Sequence, residues 1–504
     1  MLPSDSVERG TQPTVSRYDL ASSTAIGLAI TAYVGAAMYL VAPHSARFPA
    51  AAVGVLAFAA VLMILPAVRP IRQPVLCPLN WTLLVFFVQL VVVPLLLSFF
   101  GPFPNTLPLM PTDHDINLAI LMSAGSFVAF AVGCELYSAR RIAGPRHAQR
   151  VRKWRVSPLA VLLFAALGVL GFLISFGSIA KLTAYYESPE NYVGITPGTA
   201  NSLLSRGALA YTVGLMLKPF LGFAIVIAWC AWAERSTRRH TVALVVVTLA
   251  AGLAIAVSFG TFSYNRGTFV APLISLAAVY GNRVRRIRLW WIVVAGVISI
   301  LLLAAFQAYR SSFQDPRYTG FSLQQAIGDP QVRQQILQET DVNDLLQVYG
   351  GGPQYLAFLL KQTDYAADIH YGKTTLSSIL YPVPVLGRPF RASSGVQIYN
   401  QLIYGRIGQI DQVVPFQGEL YLDFHLPGVI IGYLLLGIAV MFLQRRFLEA
   451  PTALQSFVWQ YTATWLAFLV IGSIAVVSQV LIYFFLPIYA LAAWSWIRPK
   501  DRPI

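Results

Sequence analysis

Residues 415–437 read PFQGELYLDFHLPGVIIGYLLLG. The first half carries three ionisable side chains, Glu419, Asp423 and His425, and the second half opens a long apolar run. A run of this kind has the length and composition of a membrane-spanning helix, and we assign its span to 427–443. The three ionisable residues therefore lie at the threshold of the span. They either cap it or carry out chemistry beside it.

The composition of the whole chain extends this interpretation. Of 504 residues 57% are hydrophobic and 11% charged, whereas soluble domains carry about 25% charged residues. We predict an all-α polytopic membrane protein with about 12 transmembrane helices. The predicted spans are 20–42, 49–67, 80–100, 116–137, 157–176, 207–232, 241–260, 268–281, 289–309, 427–443, 455–475 and 478–497. The last two share one apolar stretch that can also be divided differently.

The net charge of +15 follows the positive-inside pattern. Most Lys and Arg residues fall in alternate inter-span segments, which places both termini in the cytoplasm and 310–426 in the periplasm. The chain then divides into a membrane domain, 1–309, a periplasmic cap loop, 310–426, and a second membrane domain, 427–504. The charge needs no nucleic-acid partner. The first span reads as retained, and the sequence contains no CxxC motif and no phosphate-binding loop.

The loop 310–426 is too rich in aromatic and aliphatic residues to be disordered. SLQQAIGDPQVRQQILQ (322–338) and DVNDLLQVYGGGPQYLAFLLKQ (341–362) have the apolar spacing of helices. YGKTTLSSILYPVPVLGRPFR (371–391) predicts a short amphipathic helix followed by an extended segment stiffened by prolines. We expect a mostly helical cap that lies along the membrane surface as a lid.

Three local stretches, in their order and predicted topology, resemble a known family. They are SYNRGTF (263–269), YGKTTLSSILYPVPVLGRP (371–389) and FQGELYLDFHLPGVIIGYLLLG (416–437). Together with many spans and one long late loop, they resemble the Wzy-type O-antigen and exopolysaccharide repeat-unit polymerases. His425 departs from this pattern, because family members often have glycine there.

The resemblance implies a glycosyltransferase of the bacterial inner membrane. Such an enzyme passes a glycan from undecaprenyl pyrophosphate to a sugar hydroxyl of another lipid-linked repeat unit at the periplasmic face. Its partners would be these lipid-linked oligosaccharides and membrane lipids, with a chain-length regulator left open, and no cofactor is implied. The alternatives are an O-antigen ligase that transfers glycan to lipid A core, and a non-catalytic polysaccharide flippase, transporter or scaffold.

Arginines suit a pyrophosphate because the guanidinium stays charged and binds phosphate oxygens bidentately. Arg266 lies in a very short turn between two apolar segments, where an ionisable residue is costly and often functional. We assign it to the donor pyrophosphate, against the alternative that it only reaches the lipid headgroups. Further substrate-binding candidates are Arg206, Arg310, Arg388, Arg391 and Arg406, and Lys218 is a weaker buried-charge candidate.

The acceptor hydroxyl must lose its proton, and a carboxylate or imidazole can take it. If 419–425 is helical, Glu419 and Asp423 share a face and His425 points elsewhere. If the stretch is extended, His425 joins them on one face. Glu419 is the candidate base or acceptor-orienting group, Asp423 is either a site residue or a helix cap, and His425 is the least transferable. Two ligands, Asp423 and His425, are too few for a metal site.

Overall fold

The computed structural model describes residues 17–69, 75–103, 109–142, 154, 157–176, 208–235, 246–252, 254–255, 267–287, 290, 330, 352–362, 369–384, 386–404 and 415–497. Within these ranges the regular elements are helices, as the composition predicts. The helices named below are α1 Arg17–Val41, α2 Ala50–Ile64, α3 Pro78–Phe100, α4 Asp113–Ile142, α5 Pro158–Phe176, α6 Ala208–Leu217, α7 Pro219–Arg235, α8 Gly267–Val279, α9 Gly352–Lys361, α10 Lys373–Leu380, α11 Gly395–Tyr404, α12 Phe416–Glu449, α13 Ala453–Ala467, α14 Ile474–Tyr483 and α15 Leu486–Ile497.

Five helical stretches in the described part of the chain are long and apolar enough to cross a membrane. They are Pro78–Phe100, Asp113–Ala139, Pro158–Ser175, Thr212–Glu234 and Phe416–Glu449. The pair α14 and α15, bent by 47°, makes a sixth if it is one span. The protein is thus a helical membrane protein. The predicted span 289–309 falls outside the described residues except for position 290.

The end of the chain divides differently from the prediction. The stretch assigned to spans 455–475 and 478–497 forms α13, a single 3₁₀ turn, and then the bent pair α14–α15. Ser473 begins α14 with its side chain, whose oxygen accepts a hydrogen bond from the Val476 N–H at 3.3 Å. This capping serine starts the helix at Ile474, before the predicted boundary between 475 and 478.

Helix α12 lies at the centre and packs against α4 through glycines. Gly437 faces the carbonyl oxygen of Phe130, and Gly133 faces the carbonyl oxygen of Leu434. The Cys134 thiol also reaches the Gly437 carbonyl at 3.5 Å. Small residues let membrane helices approach until their backbones touch, and this crossing is an instance of that rule.

Helices α9, α10 and α11, all from the predicted cap, pack over the start of α12. Helices α9 and α11 form a small core with α12 and α14 in which Phe358 and Tyr399 meet edge to face at 6.2 Å, beside Leu422 and Ala475. The predicted amphipathic helix is present as α10. The proline-rich segment after it, predicted as extended, instead forms turns that contain Pro382 and Pro384, and a 3₁₀ helix, Arg388–Ser393, that has Pro389 in its first turn.

Helix α12 begins at Phe416 and runs through the predicted loop–span boundary at 426/427. Its regular geometry breaks only at His425, which has φ 54° and ψ −149°. Pro427 follows two residues later and has no N–H to donate. The long helix therefore consists of an upstream piece that carries Glu419 and Asp423 and a downstream piece that contains the apolar run.

Candidate functional site

Glu419 is completely buried where α12, α10, α11 and α14 meet. Its Oε1 accepts a hydrogen bond from the Ser378 hydroxyl at 2.8 Å, and its Oε2 accepts one from the Ile474 N–H at 2.6 Å. Ile474 is the first residue of α14, so the acidic group lies at the positive end of that helix. The Ser378 oxygen in turn accepts from the Gly395 N–H at 3.0 Å, at the start of α11. One carboxyl group thus joins four helices.

Asp423, one turn later in α12, is also completely buried, and its carboxyl group also accepts hydrogen bonds from another helix. Its Oδ1 accepts from the Thr374 N–H at 2.9 Å and its Oδ2 from the Thr375 N–H at 2.7 Å. These two donors lie in the first turn of α10, where N–H groups have no partner within the helix. Asp423 therefore caps a helix, but it is α10 rather than the apolar run that follows it in sequence.

The break in α12 adds two further bonds to the same junction. A residue at position 427 would normally donate to the Asp423 carbonyl, but proline has no N–H. The Asp423 carbonyl instead accepts from the Tyr371 N–H, and the Leu422 carbonyl from the His370 N–H, both at 3.1 Å. At the break in the helix, two carbonyl groups of α12 therefore accept hydrogen bonds from the chain before α10.

Gly395 makes the close approach of α11 to Glu419 feasible. A Cβ on this residue would lie 2.5 Å from the Glu419 Cγ and 2.6 Å from its Oε1. Any side chain here would push the carboxyl group away from Ser378. Glycine at this helix start is therefore part of the site.

The structure selects the helical alternative for residues 419–424, and the regular helix breaks at His425. Glu419 and Asp423 share a face, and His425 turns away at the break, where its ring lies 5.0 Å from that of Tyr421. Its buried Nε2 has no hydrogen-bond partner within the described structure. The three ionisable residues thus do not form one cluster.

The remaining candidates lie apart from this junction or outside the described residues. Arg388 and Arg391 are exposed on the 3₁₀ helix, with the Arg391 guanidinium 6.0 Å from the centre of the Tyr381 ring. Lys218 is buried at the break between α6 and α7. Arg206, Arg266, Arg310 and Arg406 lie outside the described residues. Where side chains are described, no three His, Cys, Asp or Glu residues gather as a metal site would require.

Sequence reasoning missed the hydroxyl and amide groups that hold the two carboxyl groups. Thr374, Ser377 and Ser378 are the buried residues of α10. Their spacing in KTTLSSIL puts them on one helical face. This spacing is the feature of the sequence from which a polar contact face could have been predicted. Amphipathic helices usually bury their apolar face, so a buried polar face is easily overlooked.

Comparison of the chain with protein-family models, with curated proteins and with the solved structures gives no match. The class that the fold itself defines is a helical membrane protein, with a buried two-carboxyl junction where helices α10, α11 and α14 meet its central helix. A more particular assignment depends on the site and on the resemblance in sequence.

The Asp423→Asn variant is expected to unfold at a lower temperature in detergent. An amide has one acceptor oxygen, so one of the two N–H groups of α10 loses its partner, at a cost of about 1–3 kcal/mol. The matched control is Asp113→Asn, which removes an exposed pair with Arg47 at 2.7 Å. Exposed pairs contribute about 0–1 kcal/mol, so the control should shift the midpoint far less. Equal shifts would contradict the assigned role of Asp423.

Proposed function

We propose that this protein is a bacterial inner-membrane glycosyltransferase that polymerises lipid-linked repeat units, as the Wzy-type polymerases do. One observation supports this more than any other. Two of the three stretches that carry the resemblance, 371–389 and 416–437, meet through Glu419, Asp423 and the buried face of α10. Stretches that are separate in sequence but joined at one polar junction are what a functional site requires.

The proposed reaction needs only groups of the chain and its two substrates. The acceptor hydroxyl oxygen attacks the anomeric carbon of the donor glycan, and the bond from that carbon to the pyrophosphate oxygen breaks. The bonding electrons leave with undecaprenyl pyrophosphate, and the hydroxyl proton passes to a base. The protein has to neutralise the leaving group and place the base.

Glu419 is the base or orienting group in this proposal, and Ser378 marks the position of the acceptor. The Ser378 hydroxyl donates to Oε1 as a sugar hydroxyl would. Because Glu419 is completely buried, α10 has to move away before an acceptor can take the place of Ser378. Arg266 holds the pyrophosphate, and the exposed Arg388 and Arg391 attract it to the cap.

Deletion of the protein tests the proposed reaction. Cells without it should accumulate a single repeat unit on undecaprenyl pyrophosphate, because transport continues while chain extension stops. A ligase deletion would instead leave long unattached polymer, and a flippase deletion would hold single units on the cytoplasmic face. Mass spectrometry of the extracted lipids, with enzymatic probing of their sidedness, distinguishes the three. Long polymer in the deletion strain would contradict the proposal.

Complementation of the deletion strain with variants tests the role of Arg266. Arg266→Ala should fail to restore polymer although the protein reaches the membrane at wild-type levels. Arg266→Lys should restore it only in part, because lysine keeps the charge but not the bidentate geometry. The control is Arg69→Ala, which should restore normal polymer. The Arg69 guanidinium donates to the Met63 carbonyl at 2.9 Å. Full activity of Arg266→Ala would refute the assignment.

A further inference from the structure

Helix α10 is inverted relative to a helix on the surface of a soluble protein. Its exposed face carries Leu376 and Ile379, which are 53% and 44% exposed, and its buried face carries hydroxyl side chains. A helix next to water normally buries its apolar face and exposes its polar one. The reverse arrangement suits a helix whose exposed side meets lipid.

The N–H groups at the start of α10 all have hydrogen-bond partners within the protein, as a membrane environment requires. Helix starts carry N–H groups without internal partners, and lipid offers them none. Here the Lys373 N–H donates to the His370 carbonyl at 3.0 Å, and the next two N–H groups donate to Asp423. The first turn of α10 therefore needs no water.

The depth of α10 in the membrane follows from the place along α12 to which α10 is bonded. The far end of α12 carries Arg445 and Arg446, which belong at a headgroup region. Counting back about 20 residues, the number that crosses the hydrocarbon core, reaches His425. Because α10 is bonded to Leu422 and Asp423, it lies at the opposite boundary of that core. With 8 residues it spans only about 12 Å and lies at this boundary without crossing.

The exposed apolar face of α10 continues into the exposed face of α12. Phe424 and Leu426 are 44% and 54% exposed, and Ile430 follows one turn later at 51%. The Phe424 ring lies against Gly372, where a Cβ would be 3.2 Å from its Cζ, next to the exposed Tyr371. Three exposed cations accompany this surface, namely Lys373, Arg388 and Arg391. An apolar face with a cationic rim is what an interfacial helix presents to lipid headgroups.

We propose that α10, together with Tyr371, Phe424, Leu426 and the 66% exposed Leu386, is inserted into the interfacial region of the bilayer. The occupant of this apolar surface is lipid, with acyl chains against the leucines and anionic headgroups near the cations. The inference depends on α12 being a membrane span and not on the proposed glycosyltransferase activity. A failed polymer assay would leave it intact, and its own failure would leave the activity unaffected.

The test uses the full-length protein in lipid nanodiscs, with one fluorescent label on an introduced cysteine. The native Cys77, Cys134 and Cys230 are buried and should not react. Leu376→Cys labels the proposed lipid-facing side of α10. Ile430→Cys is the reference for a lipid-exposed position, and Gln401→Cys, at an exposed polar residue of α11, is the reference for water. Quenching by a nitroxide lipid and by aqueous iodide is measured for each.

The label at 376 is expected to behave like that at 430, with strong quenching by the nitroxide lipid and several-fold weaker quenching by iodide than at 401. Iodide quenching at 376 equal to that at 401 would overturn the proposal. Weak quenching by both agents would overturn it too, because a protein surface would then cover α10. Leu386→Cys repeats the test at a residue outside the helix, so that the result does not depend on one substitution. Exposed positions tolerate such changes with small effects on stability.

Discussion

Gly437→Ala is expected to separate helices α4 and α12 and to leave little folded protein. A Cβ at this position would overlap the carbonyl oxygen of Phe130, and the reciprocal Gly133→Ala would overlap the carbonyl oxygen of Leu434. Backbone atoms have no alternative rotamer, so the helices themselves must move apart. Overpacking of a fitted interface costs about 1–3 kcal/mol, and this crossing also supports the aromatic cluster of Phe86, Phe127 and Tyr433.

The measurement is the unfolding midpoint in detergent, together with the monodisperse fraction after extraction. The control is Gly125→Ala on α4, the helix that α12 packs against, where no atom apart from the nearby backbone of α4 itself lies within 4 Å of the new Cβ. Alanine favours a helix over glycine by roughly 0.5–1 kcal/mol, so the control should be neutral or slightly more stable. A loss in the control as large as that in Gly437→Ala would mean that glycine matters for some reason other than helix approach.

The sequence predicts the helices of this fold well and their boundaries less well. Apolar runs identify α2 to α5, because hydropathy and length are local properties. The start of α12 at Phe416 is not predictable in this way, since Glu419 and Asp423 count as loop residues in any hydropathy window. They lie in the helix because their carboxyl groups accept hydrogen bonds from Ser378, from Ile474 and from the first turn of α10. These partners are distant in sequence.

The junction of Glu419 and Asp423 with α10 is only partly a local feature of the sequence. Helical spacing brings Glu419 and Asp423 to one face, and the structure confirms that alternative. The break at His425 depends on Pro427 and on the loop before α10, whose His370 and Tyr371 N–H groups donate to the freed carbonyl groups of Leu422 and Asp423. Periodicity contains no information about such long-range pairs. The sequence KTTLSSIL shows that α10 has a face of hydroxyl side chains. It does not show that this face is buried, because that depends on the carboxyl groups of α12.

Glu419→Gln is expected to abolish chain extension while the protein still folds and reaches the membrane. Glutamine has the same shape, but its amide nitrogen is a donor that must face either Ser378 or the Ile474 N–H. The variant therefore loses one hydrogen bond, at about 1–3 kcal/mol, and the unfolding midpoint falls. It also loses the only group at this position that can take a proton, which is worth about 10²–10⁴-fold in rate.

Ser378→Ala separates the two effects because it removes a hydrogen bond from the same carboxyl group and leaves its basicity. It deprives Glu419 Oε1 and the Gly395 N–H of their shared partner, so its unfolding midpoint should fall by an amount similar to that of Glu419→Gln. If Ser378 only occupies the place of the acceptor, the alanine variant keeps chain extension within a few-fold of wild type. The readout is the rate at which purified protein joins two lipid-linked repeat units. Equal losses of rate in both variants would show that Glu419 acts only by holding α10, α11 and α14 together.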